Sequence, residues 1–408
     1  MDDSLIVMRN GHLIDPRSET IQEVDIVVEA GRIAAVDEHV VAPSHARTID
    51  LAGRFVLPGL IDAHAHVGAV SADYDAMMDW PMSYLTARSV RVMSDMLSRG
   101  FTTIRDLGGA DHGMARAIDE RVLVGPRLRF AGKNLSRAEG PGHPRDYGND
   151  YRPRYHERAA PGVACQTTAA LLEAARIELE RGAHQLKVSV TGGVSARASG
   201  PASIKFSEEE LSAVVALARA AGRYVAGHVY SSEAIQLALR SGIRSIEHGN
   251  FLDADCLPLF LSQGAYLVPT LITYSALAEH GQDYGLTGHV QEKIVHARDA
   301  GLAAVELAHR ARVPIAFGSD LMGSMHRLQN EEFRLRAEVL PAAEILRSAT
   351  VTAAELLNMR GLIGEVVPGA YADLIVVDDD PLDDVTVLCR PHDFGLIMKE
   401  GHVHHLAI

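Results

Sequence analysis

Cysteine is scarce in this 408-residue chain: there are three, Cys165, Cys256 and Cys389, far apart and in no CxxC pair. That spacing indicates neither a disulfide framework nor a thiolate zinc site, and it fits a reducing compartment. Basic charge is also short. Lys and Arg number 39 against 53 Asp and Glu, a formal net charge of −14. Nucleic-acid binders carry clustered basic surface, so the deficit argues against a polyanionic partner. No apolar stretch reaches the length that spans a bilayer. The start, MDDSLIVMRNGHLIDP, has two acidic residues and no basic n-region, unlike a signal peptide. The expectation is a cytoplasmic protein that acts on a small molecule and engages neither nucleic acid nor membrane.

What is present is a long central alternation between two β-rich ends. The first 57 residues hold short strand-like runs punctuated by Asn10-Gly11, Ala30-Gly31 and Ala52-Gly53 turns, and the last 45 or so read the same way. Between them, eight apolar runs alternate with helix-like stretches: LIDAHAHV, FTTIRDLGG, RLRFAGKNL, QLKVSVTGG, YVAGHVYSS, SIEHGN, YLVPTL and IAFGSD. One helix-like stretch, SEEELSAVVALARAAG, opens on a Ser207/Glu210 capping box and closes on Gly222. Eight β/α units over some 300 residues predict an α/β fold, a (β/α)8 TIM barrel with its active site at the carboxyl ends of the strands. An open doubly wound sheet would need a Gly-rich phosphate turn after the first run, and AHAHVGAV is no GxGxxG. The expected domains are a barrel over 58–360 and a small β-sandwich formed by both termini, 1–57 with 361–408.

The polar residues at the ends of the central runs converge. His64 and His66 are two apart on one strand and so project from the same side. The fourth run adds Lys187, the fifth His228, the sixth His248 and the eighth Asp320. In apolar surroundings such groups are costly unless paired or metal-bound. Four imidazoles and a carboxylate suit Zn²⁺ or another borderline divalent ion. A buried lysine loses its charge as its pKa falls, and the neutral amine takes up CO2 to give a carbamate that bridges two cations. On that reading His64, His66 and Asp320 hold one ion, His228 and His248 the other, and carbamylated Lys187 links them. The alternative is an ammonium at Lys187 paired with Asp320 beside a single metal.

These residues, with FVLPGLIDAHAHV in front, IEHG and FGSD behind and VTAAELLNMRGLIGEVVPGAYADLIVVDDDP closing the barrel, resemble the amidohydrolase superfamily over essentially the whole chain. GFTTIRDLGG, KVSVTGGVSA, FSEEEL, GHVYS and IEHGNFLD are similar to the branch of imidazolonepropionase-related prolidases, Xaa-Arg or Xaa-Lys dipeptidases and ochratoxin-type amidases. The resemblance implies a binuclear zinc enzyme with a carboxylated lysine. It implies a homo-oligomer that cleaves an amide next to a C-terminal amino acid, with a dipeptide or other small molecule as substrate. In that mechanism Asp320 takes the proton of the attacking water and passes it to the leaving nitrogen. His143 and Tyr230 match the substrate-contacting positions of the branch. Lactone or cyclic amide hydrolysis, or a mononuclear deamination, are the alternatives within the superfamily. Lys187 argues against the deaminases, which usually lack it.

Arg137, Arg145, Arg152 and Arg154 surround His143 and suit a substrate carboxylate, although each reads more simply as surface charge; Arg197, in the loop after the fourth run, is a further candidate. Asp106 suits either orientation of a metal-bound histidine or a structural hydrogen bond. His402, His404 and His405 lie at the end of the terminal β segment, away from the barrel mouth, and Asp378, Asp379 and Asp380 read as a solvated turn.

Overall fold

The computed structural model describes residues 5–73, 77, 79–137, 161–196, 199–286 and 288–408. Strands from both ends of the chain share one eight-stranded sheet. Its order is His402–Leu406, Leu396–Lys399, Leu374–Val377, Phe55–Pro58, Leu5–Asp15, Thr20–Glu29 and Arg32–Asp37, with Arg47–Asp50 paired parallel to Leu5–Asp15. Ile6, Met8, Ile26, Val56, Leu374 and Leu396 fill the core of this unit. The chain ends are therefore joined in one sheet, and that sheet holds every strand of both termini.

The central region consists of parallel strands and helices. Leu60–Ala65, Phe101–Asp106 and Arg127–Phe130 form a three-stranded sheet. Gly162–Ala164, Asn134–Ser136, Leu186–Ser189, Val225–Ser231, Ser245–Phe251 and Tyr266–Val268 form a six-stranded one. The strands are buried on both faces, as Val225–Ser231 shows, and this is why the runs read as continuous apolar stretches. The covering helices follow their sequence signals. Glu208–Ala220 carries the full Ser207/Glu210 capping box and buries Leu211, Val214, Val215 and Ala218 at helical spacing.

Two expected strands differ. RLRFAGKNL is split: Arg127–Phe130 belongs to the three-stranded sheet and Asn134–Ser136 to the six-stranded one. Gly132 breaks it, with φ of +74° and a side of its Cα pressed on the Glu178 carboxylate. The eighth run forms a single bridge, Ile315 to Leu267. Its backbone nevertheless reaches both neighbours, with Ala316 N–H donating to Leu267 O (2.9 Å) and Ala63 N–H to Phe317 O (2.8 Å). The run is short and turns at once into Asp320, which has φ of +50°. Among the described residues no helix is long and apolar enough to cross a membrane.

A candidate metal centre

The strand Leu60–Ala65 delivers His64, and the turn after it delivers His66. Each imidazole has one nitrogen committed. His64 Nδ1 pairs with Glu247 Oε2 at 2.8 Å, and His66 Nδ1 donates to Gly108 O at 2.8 Å. Both Nε2 atoms are then lone-pair atoms, and both face Asp320 Oδ1, at 3.4 and 3.3 Å. Two lone pairs aimed at a carboxylate oxygen repel unless a cation lies among them. His64, His66 and Asp320 thus form a donor set suited to a divalent ion.

Asp320 is brought there by the backbone. Its N–H donates to His64 O (2.8 Å), and the preceding Gly318 has room for no side chain: a Cβ there would lie 2.5 Å from Val268 Cγ1 and 2.8 Å from His64 Cβ. Asp62, fully buried, accepts from the backbone N–H of His64 (3.0 Å), from Ser319 Oγ (2.5 Å) and from Gln329 Nε2 (2.8 Å). One carboxylate therefore joins the first run to the last. Burial works to raise the Asp320 carboxyl, but His64, His66 and His248 carry it well below the usual range.

His228 and His248 make a second focus. His228 Nδ1 and His248 Nε2 stand 2.8 Å apart, and the other nitrogen of His248 meets Thr270 Oγ1 at 2.9 Å. Two ring nitrogens this close share a proton or a cation. Burial, helped by Lys187, pushes His228 down to about 3, and His248 lies well below its ordinary value through burial and His228. Both rings are neutral at pH 7 and so able to act as ligands. Lys187, on Leu186–Ser189, is 2% exposed, and its Nζ has no hydrogen-bond partner among the described residues. Burial pushes its amine down to about 8 while Glu247 and Asp320 pull it up. An orphaned buried amine on the strand paired with that of His228 fits a ligand atom better than a free cation.

Tyr230 is buried beside this pair. Its ring stacks on His248 with centroids 5.1 Å apart and 7° between planes, and its oxygen accepts from Tyr274 at 3.2 Å. His143 lies outside the described residues, as do Arg145, Arg152, Arg154 and Arg197. Arg137 is described and is spent internally. It donates to Cys165 O (2.5 Å) and Glu210 Oε1 (2.6 Å) and lies over the Phe206 ring, so its guanidinium joins loop to helix and is not free for a substrate. Asp106 accepts the N–H groups of Val67 (2.8 Å), Gly108 (2.9 Å) and Ala110 (3.1 Å). It fixes the Gly108 carbonyl that orients His66, which unites the two roles expected of it. His402, His404 and His405 lie on the last strand of the terminal sheet.

Glu247 was missed by the sequence reading. It is fully buried between His64 and Arg105, whose Nη2 donates to it at 2.8 Å. Burial works to raise its carboxyl, and Arg105 with His64 overrides that and holds it at about 2. Strand alternation places Glu247 and His248 on opposite faces. His248, at φ of +74°, leaves the β region and turns toward the site as well. Thr270 and Asp320, at +47° and +50°, share that left-handed geometry, so three non-glycine residues at one centre hold uncommon backbone. The adjacent acidic residue in SIEHG was the only signal available.

Residues 55–403 match the model of the amidohydrolase family. An amidohydrolase of known structure is 39% identical, with a TM-score of 0.95 over 99% of both chains. A prolidase solved with N-methylphosphonate-L-proline is 37% identical at a TM-score of 0.95, covering 98% of this chain and 99% of that one. The ochratoxinase of Aspergillus niger is 29% identical over 96% of this chain and 85% of that protein. The chain belongs to the amidohydrolase family, on its prolidase-like branch.

Proposed function

We propose that this protein is a binuclear metal-dependent hydrolase of small amides that releases a C-terminal amino acid, as a dipeptidase, prolidase or N-acyl-amino-acid amidase. The observation that carries the reading is the buried Nζ of Lys187, without a hydrogen-bond partner among the described residues, on the strand paired with that of His228. The prolidase, the Xaa-Pro dipeptidase and the ochratoxinase among its relatives support the substrate class. The central β/α units, hydrogen-bonded across the Ile315–Phe317 seam, are read as one (β/α)8 barrel.

His64, His66 and Asp320 would hold one ion, His228 and His248 the other, with Lys187 as a carbamate between them; Zn²⁺ suits this donor set. An ion held there would supply Lewis acidity for a scissile carbonyl and lower the pKa of a water. Asp320 directs Oδ1 at His64 and His66 and leaves Oδ2 toward the second pair, 3.9 Å from His248. From there it accepts the proton of the attacking water and returns it to the leaving nitrogen. Tyr230 and His143 contact the substrate, and the protein works as a homo-oligomer in the cytoplasm.

Amino-acid release from a panel of dipeptides and N-acyl amino acids tests the reading, with enzyme prepared in Zn²⁺ and bicarbonate. Release of one residue class is expected. Silence across the panel together with turnover of lactones or cyclic amides would move the substrate class and keep the site.

A further inference from the structure

Tyr274 has itself been given no role, yet it is 1% exposed and its hydroxyl is used. It lies on the helix Leu271–His280, directly after Thr270. Its hydroxyl donates to Tyr230 Oη at 3.2 Å, and the angles at the two oxygens suit that direction. The Thr270 oxygen meets His248 Nδ1 at 2.9 Å.

The direction of the Tyr274–Tyr230 bond leaves one proton unspent: having accepted from Tyr274, the Tyr230 hydroxyl still has its own proton to give. We propose that Tyr274 is a positioning residue: the hydrogen bond it donates fixes the Tyr230 hydroxyl as a donor to a substrate oxygen. Without Tyr274, the Tyr230 hydroxyl is free to rotate, and the pre-set donor is lost.

The proposal makes use of the amide-hydrolase reading for its kinetic arm only. Neutron diffraction on deuterated, Zn²⁺-loaded protein locates the hydroxyl deuterons directly. The expected result is the Tyr274 deuteron on the line to Tyr230 and the Tyr230 deuteron directed away from Tyr274. A Tyr230 deuteron on the line to the Tyr274 oxygen overturns the proposal whatever the substrate. In kinetics, Tyr230→Phe is expected to lower kcat/KM about 100-fold and Tyr274→Phe about 10-fold. The double variant should match Tyr230→Phe alone, because Tyr274 acts only through that hydroxyl. Losses that multiply would mean an independent packing role and contradict the proposal. If the parent hydrolyses no amide, the substrate reading fails, and the deuteron positions still decide the direction of the Tyr274–Tyr230 bond.

Discussion

Glu247 and His64 are 183 positions apart in the chain, and their side chains meet at 2.8 Å in a place with no access to solvent. The carboxylate keeps the His64 proton on Nδ1 and so turns the Nε2 lone pair toward Asp320. Glu247→Gln keeps the shape and removes the charge. Metal affinity should fall roughly 10–100-fold, read by competition with a chelator. Unchanged affinity would detach Glu247 from the site.

Gly318 is a packing requirement of the same corner. Gly318→Ala forces a methyl against Val268 and His64, while at Gly200 an added Cβ meets nothing within 4 Å among the described residues. The first variant should lose about 1–3 kcal/mol of stability, measured by denaturant titration, and the second should lose little. Equal losses would show that the approach at Gly318 is not tight.

Arg137 is assigned to structure. Arg137→Ala removes the Glu210 pair and the cover over Phe206 and should cost about 1–2 kcal/mol, with KM unchanged. A large rise in KM at unchanged stability would restore it as a substrate group.

Much of this was legible in the sequence, and the limits have physical reasons. His64 and His66 share a face because strands alternate, and the capping box fixed a helix start. Alternation also hid Glu247, since only the positive φ of His248 lets neighbours in sequence serve one centre. Tyr274 sits in a helix apolar on nearly every side, with no stripe to mark its hydroxyl. The eighth run carried the right residues for a strand, but Gly318 and the left-handed Asp320 end it after one bridge. Arg137 lay in a basic stretch whose charge said nothing about the partners it finds at Glu210 and Cys165.

His326 gives the metal-free protein an acid limit. It is 6% exposed and pairs with Ala69 O at 3.1 Å, and burial pushes it down to about 3. The unfolded histidine titrates near 6.5. Between those values the unfolded chain binds a proton that the folded one refuses, so stability is full above about pH 6.5 and falls as pH drops toward 3. The share of His326 is about 2 kcal/mol between pH 6.5 and 5. Denaturant titrations at both pH values should show the loss, and His326→Gln, which still donates to Ala69, should reduce it by that share, leaving the part that His228 and His248 contribute. An equal slope in the variant would contradict the assignment.

The two-metal site linked through Lys187 is the centre of the account, and metal content is its most direct test. Parent protein prepared with Zn²⁺ and bicarbonate, with Lys187→Ala alongside, is measured for zinc per chain and for amide hydrolysis. The account predicts two ions and turnover in the parent, and in the variant loss of turnover with at most the ion held by His64, His66 and Asp320. One ion in an active parent, or full activity without Lys187, would contradict it.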